Sequence, residues 1–266
     1  HAISTQAPDD LARELSISED KAELLLPTAM IYHNIFEETD AEFMWLSGIT
    51  ICDGMAADFA ECKEHIVPAH PFSDDIISVS RKLAERFCCD TEHIHQVEIA
   101  ALKLFDALRK ANHLTKKDRL LLQIAAILHN CGSFLNLNDI GENSYKIVTS
   151  TEIIGLSHQE RMIVAYVIRY TTGDFPEYSE IKNEFSREEY MKIAKLNAIL
   201  CLADAMDRSH QQKFTNFTVR KRGYDLTITG QTLYDITLEH GMFIQKSPFF
   251  EEAFGIRPVL RQKKCL

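Results

Sequence analysis

The chain has 266 residues and a formal net charge of −10; 45% of its residues are hydrophobic and 26% charged. That is an ordinary globular balance, with enough apolar material for a sizeable core. No run of about 18 apolar residues is present, and the N-terminus lacks the basic, apolar, small-residue order of a secretion signal, so the sequence argues against a spanning helix or export and predicts a cytoplasmic protein with no membrane partner. Seven cysteines, an odd number with no C-x-x-C pair, argue against a disulfide framework or a zinc knuckle and predict reduced thiols. The chain opens on His1 rather than Met, which suggests a missing upstream portion.

In chain order, residues 9–38 read as helix, with Ser16-x-x-Glu19 as a capping box and Pro27 as a kink. The stretch EFMWLSG, 42–48, has strand character and a helix resumes near Gly54, giving an α-β-α piece whose single strand needs other strands beside it. HIVPAHPF, 65–72, carries two prolines and predicts a linker that separates a unit 1–66 from the remainder of the chain.

Beyond it the periodicity predicts helices over 74–88, 92–112, 116–130, 158–171 and 187–208. The last three open on Thr115-x-x-Asp118, Ser157-x-x-Glu160 and Ser186-x-x-Glu189, and Gly132 and Gly173 stand where glycine stops are expected. This region, 67–212, is predicted to be a helical bundle. From 214 the sequence FTNFTVRKRGYDLTITG alternates as a hairpin around Arg222-Gly223, followed by a helix over 238–254 and a strand over 257–262, a small α+β unit spanning 213–266. The predicted class is mainly α with a small β component.

Charge is unevenly spread. Residues 208–266 hold ten Lys/Arg against five Asp/Glu, while 1–207 hold 19 against 34. An anionic ligand would therefore meet the C-terminal third. Arg208, Lys213, Arg220 and Arg222 are the candidates to contact it, with Lys221 placed by strand alternation on the face opposite Arg220 and Arg222 and with Arg257, Arg261, Lys263 and Lys264 adding to the set.

His95 in one helix, His129-Asn130 at the end of a second, His158 at the start of another and Asp204 inside a long apolar helix are placed to converge on the bundle interior. Imidazoles and carboxylates are ligands of divalent metals, although a buried histidine is more often a hydrogen-bonded core residue.

The segments HQVEIAALKLFDAL (95–108), AAILHNCG (125–132) and LCLADAMDRS (200–209) resemble the signatures of HD-type phosphohydrolases: His, then His-Asp, then a later Asp. Asn130 replaces the aspartate of the doublet, and an amide oxygen binds a divalent cation less well than a carboxylate and cannot neutralise its charge. The expectation is thus no metal and no catalytic residue in this chain, with His95, His129 and Asp204 the ligands if an ion is held. The longer stretch from AAILHNCG through NSYKIVTSTEIIGLSHQER and VIRYTTG to LADAMDRS resembles the C-terminal domain of the exopolyphosphatase/guanosine pentaphosphate phosphohydrolase (Ppx/GppA) family, and residues 1–62 resemble the end of that family's actin-like (ribonuclease H-like) phosphatase domain.

The resemblance implies an HD-like helical bundle beside an actin-like remnant. The Gly-Gly-x-Ser-x-Glu stretch of the family's catalytic half does not occur here, and Asp-x-Gly occurs as Asp139-Ile140-Gly141 inside the stretch that resembles the C-terminal domain, not in a phosphate loop of the catalytic half, so the resemblance further implies an accessory, non-catalytic module of a phosphoanhydride hydrolase. Its partners would be polyphosphate or a guanosine polyphosphate and a second copy of itself, with no nucleic acid polymer, and magnesium would serve the parent enzyme only. His95, His129, Asn130, Asn143, His158, Arg169 and Asp204 would line the residual pocket. An autonomous metal phosphohydrolase and an alarmone-binding regulator are the alternatives.

Overall fold

The structure, a computed structural model, describes residues 6–39, 42–43, 48, 51–62, 72–109 and 114–263. The chain divides into two compact units, His1–Pro68 and Ala69–Leu266.

The first unit contains helices α1 (Pro8–Leu15), α2 (Glu19–Glu37) and α3 (Ile51–Cys62). Helix 9–38 is not continuous: Ser16 adopts a left-handed conformation (φ 55°) that ends α1, and α2 restarts behind Ser18, so Ser16 closes one helix instead of capping the next. Pro27 lies inside α2. Leu11, Ala12 and Ala22 make a small core, while Leu24, Met30, Ile31, Met55 and Phe59 are exposed. Most of the expected strand at 42–48 and of the expected linker at 65–72 lies outside the described residues.

The second unit is mainly helical. It runs α4 (Phe72–Arg86), α5 (Thr91–Leu108), α6 (Lys116–Leu128), a 3-10 turn (Cys131–Phe134), α7 (Ile140–Ser150), α8 (His158–Arg169), α9 (Tyr178–Ile181) and α10 (Arg187–Ala205), then β1 (Phe217–Arg222), β2 (Asp225–Gln231), α11 (Thr237–Phe254) and β3 (Arg257–Lys263). The Thr115, Ser157 and Ser186 capping boxes all form, each hydroxyl accepting the N3 backbone N–H. Helix α7 has no counterpart among the helices expected from periodicity, and Gly132 is not a left-handed stop. It sits in the 3-10 turn where a Cβ would lie 2.2 Å from the Ile140 carbonyl oxygen, so α7 packs directly onto this backbone.

The hairpin expected around Arg222-Gly223 is present, with Arg222 opposite Asp225 across Gly223 (φ 56°) and Tyr224. β2 then pairs in parallel with β3 through α11, giving the order β1-β2-β3. Phe217, Leu226, Ile228 and Leu260 face inward and belong to the same buried core as Leu104, Phe105, Ile127, Ile168 and Leu200 of the bundle. Residues 213–263 are therefore packed onto the bundle, because the sheet has one apolar face and the bundle supplies the surface that buries it. Among the described residues no helix is long and apolar enough to cross a membrane.

A candidate site at the junction of α5, α6 and α10

Three helix ends converge. Asp90 caps α5 by accepting the backbone N–H groups of Glu92 and His93, which puts His93 in the first turn with its side chain 1% exposed. His129 ends α6; the Ser144 hydroxyl of α7 donates to the His129 carbonyl (2.8 Å) and accepts the Gly132 N–H (2.7 Å), clamping the turn between α6 and α7. Asp204 lies in the last turn of α10, and Asp207 and His210 stand in the turn that α10 leads into.

His93 Nε2 lies 3.2 Å from His129 Nε2 and 3.4 Å from Asp204 Oδ1, and His129 Nε2 lies 3.5 Å from the same Asp204 oxygen. The far nitrogens decide the protonation. His129 Nδ1 is 2.8 Å from the Ala126 carbonyl oxygen, which can only accept, and His93 Nδ1 is 2.9 Å from Asp207 Oδ2. Both Nδ1 atoms therefore carry hydrogen and donate, and the two Nε2 atoms and a carboxylate oxygen converge on one point.

Such a centre needs a positive charge. Burial opposes a charged His93, but hydrogen bonds to Asp204 and Asp207 outweigh burial and raise its pKa to about 9. Asp204 is likewise opposed by burial, and the hydrogen bonds from His129 and His93 hold its carboxyl below the usual range. A proton thus satisfies the cluster. A divalent cation fits too: His93, His129 and Asp204 form a metal-capable group, and donors about 2.0–2.1 Å from a tetrahedral ion stand roughly 3.3 Å apart, close to the observed 3.2–3.5 Å. Arg208 extends toward the second Asp204 oxygen at 3.7 Å, and His210 stacks on His93 with ring centroids 3.6 Å apart while pairing with Asp90 at 3.0 Å.

The expected pocket is only partly assembled. His129 and Asp204 are in it and Asn130 stands beside it, but His95 is exposed and the histidine that faces the centre is His93. Positions i and i+2 on a helix point some 200° apart, so His93 and His95 cannot both face one point. His158 is exposed near Arg161; Asn143 donates to the Asn136 side chain and the Asn138 carbonyl, tying down the loop before α7; Arg169 pairs with Glu142 and lies over the Tyr145 ring. Asp207, His210 and Asp90 join the cluster without being among the residues expected there. Their signal is faint in sequence, although "MDRSHQ" places two of them just after Asp204.

The basic set also divides. Lys213 is bound to the fully buried Glu239 at 3.1 Å, and Arg208, although its side chain is exposed, reaches toward Asp204 of the histidine cluster, so both lie off the outer face of the sheet. Arg220 and Arg222 lie on it. Register puts Thr218, Arg220 and Arg222 of β1, Thr227 and Thr229 of β2, and Arg257, Arg261 and Lys263 of β3 on the outer face of the sheet. Its one carboxylate, Asp225, is paired with Arg257 at 2.9 Å. A concavity of about 260 Å³ lies between Arg220 and Lys263, lined also by Asn216, Phe217, Thr218, Thr229 and Gln231.

The fold and this cluster define a mainly helical domain with a buried His–His–Asp centre and an added three-stranded sheet. A family model for Ppx/GppA phosphatase, domain III, matches residues 77–245, which is more than half of the chain. The chain belongs to the Ppx/GppA phosphatase family. No curated protein matches it.

Proposed function

We propose that the chain is an accessory module of a Ppx/GppA phosphatase that grips a phosphate polymer and does not itself hydrolyse it. In this reading the bundle is HD-like, unit 1 is the end of an actin-like lobe, and magnesium serves the parent enzyme's phosphatase centre. A second copy of the chain is the partner expected for dimer formation, which light scattering would test.

The observation that carries the reading is the outer face of the sheet. Arg220, Arg222, Arg261 and Lys263 share it and have no ion pair among the described residues, in a chain whose net charge is −10. The outward positions 218, 220, 222, 225, 227, 229, 231, 257, 259, 261 and 263 hold no aromatic residue, and the one ring that lines the concavity, Phe217, is 3% exposed and covered by Lys103. Nucleotide-binding surfaces of this open kind stack bases on rings, whereas a bare phosphate chain needs cations and hydroxyls, which this face has. Polyphosphate is thereby favoured over a guanosine polyphosphate.

Titration of the chain with polyphosphate and with guanosine pentaphosphate at two salt concentrations tests this. Polymer binding that weakens with salt, and falls roughly tenfold or more in an R220A/R261A double variant, is expected from loss of phosphate contacts. Equal or tighter binding of the nucleotide, unmoved by that variant, would return the alarmone-binding reading.

The His93–His129–Asp204 geometry favours a second reading, an autonomous HD-type metal phosphohydrolase. These three residues would hold the ion, which would supply Lewis acidity toward a phosphoryl oxygen, and Asn130 would stand where a carboxylate is usual. Stoichiometric divalent metal in the purified chain, lost together with phosphatase activity in His129→Ala, would establish it over the accessory role.

A further inference from the structure

We infer that Cys89 and Cys131 form a dithiol modification site, closing to a disulfide under peroxide and so tying the start of α5 to the end of α6 beside the histidine cluster. Their sulfurs lie 3.3 Å apart, with the residues 7% and 0% exposed. A disulfide needs an S–S distance of about 2.05 Å, so the two must approach by only about 1.3 Å.

The backbone holds both cysteines in place. Cys88 takes a left-handed conformation (φ 50°), the Cys89 N–H donates to the Ala84 carbonyl, and Cys89 leads directly into Asp90, the cap of α5 that also pairs with His210. Cys131 opens the 3-10 turn whose next residue, Gly132, is held by Ser144 together with the His129 carbonyl. Each cysteine is thus attached to the segment that aims one cluster histidine, Cys89 to His93 and Cys131 to His129.

The two thiols are not equivalent. Cys89 keeps a little solvent exposure and Cys131 has none, so Cys89 is the sulfur that meets peroxide first. The Cys89 thiolate attacks hydrogen peroxide, the O–O bond breaks, and with one proton taken up the products are a Cys89 sulfenic acid and water. The Cys131 thiol then attacks that sulfur, the S–O bond breaks, and its proton leaves with the hydroxyl as a second water. Two thiols lose two electrons and two hydrogens, and one peroxide becomes two waters. In a reducing compartment the pair rests as thiols and the disulfide is transient. Cys201, buried and pushed up to about 12 by burial, hydrogen-bonds oxygens only and has no sulfur partner among the described residues.

The test treats the 266-residue chain with hydrogen peroxide, blocks free thiols, and maps peptides without reduction, with histidine ring NMR signals followed in parallel. The expected result is a linked Cys89–Cys131 peptide, reversed by dithiothreitol, and shifted His93 and His129 signals in the linked form. Cys88→Ser should leave the link intact; Cys131→Ser and Cys131→Ala should abolish it, and whichever of these two folds as the parent does serves as the comparison. A peroxide-treated chain in which Cys89 is over-oxidised without a link, or joined to Cys88 or to another molecule, overturns the proposal. So does a linked form whose histidine signals do not move.

Discussion

His93 and Asp207 meet at 2.9 Å, Nδ1 to Oδ2, with both side chains 1% exposed. Asp207 is itself held, accepting the Gln212 backbone N–H at 2.7 Å and its side-chain amide at 3.3 Å. The carboxylate therefore sets which ring nitrogen of His93 carries hydrogen, and through it what the cluster presents to an ion or a proton.

Removing that carboxylate should unbalance the site. Asp207→Ala leaves a buried imidazole without its acceptor and is expected to cost on the order of 2–4 kcal/mol in urea unfolding. A loss below about 0.5 kcal/mol would show that His93 is held by packing alone.

Stability should depend on pH in a direction fixed by two groups. His93 has a folded pKa of about 9, above its ordinary value of about 6.5, so its contribution is complete below pH 6.5 and is lost as pH rises through 9. Asp204 is shifted below the ordinary value of about 3.9, so its contribution is present above that value and lost as pH falls. For chelator-treated chain, thermal unfolding should thus show a plateau near pH 5–6.5 and a decline of on the order of 1–3 kcal/mol by pH 9.5. A flat profile across that alkaline limb would rule out a charged His93 in the folded state.

Gly132→Ala should be poorly tolerated. The added methyl would meet the Ile140 carbonyl oxygen at 2.2 Å and the Ser144 nitrogen at 2.6 Å, both backbone atoms, and relief requires α7 to move off the turn that carries His129. A loss of roughly 2–4 kcal/mol is expected, with disturbed His129 NMR signals. Wild-type stability in this variant would mean that the contact relaxes freely.

The two halves of the basic set should behave oppositely. Lys213→Ala leaves the fully buried Glu239 with the Ser209 hydroxyl but no cation and is expected to cost about 2–4 kcal/mol, whereas Arg220→Ala, on the open face, should stay within about 0.5 kcal/mol. Comparable denaturation midpoints for the two variants would contradict the assignment of Lys213 to the core.

Much of this arrangement is legible in the residues. The bundle helices, three capping boxes, the hairpin and the final helix and strand arise from short-range patterns, and the turn after His129 is marked by its glycine. His93 is within reach as well: it shares the buried stripe of α5 with Val97, Ala100 and Leu104, while His95 falls off it. Helix α7 escapes the sequence patterns because its N-terminus has no side-chain cap, Asp139 being left-handed there (φ 53°).

Local spacing, caps and turn residues act over one to four positions, so the sequence by itself determined the helical class, the hairpin and the family. What only the tertiary structure decided is which polar groups meet. His93 finds Asp207 and His129, Lys213 finds Glu239, and Cys89 finds Cys131, across chain separations at which no periodic pattern carries information. Those meetings are set by how the helices and sheet pack to bury their apolar faces, and the charges and thiols are brought together by that packing.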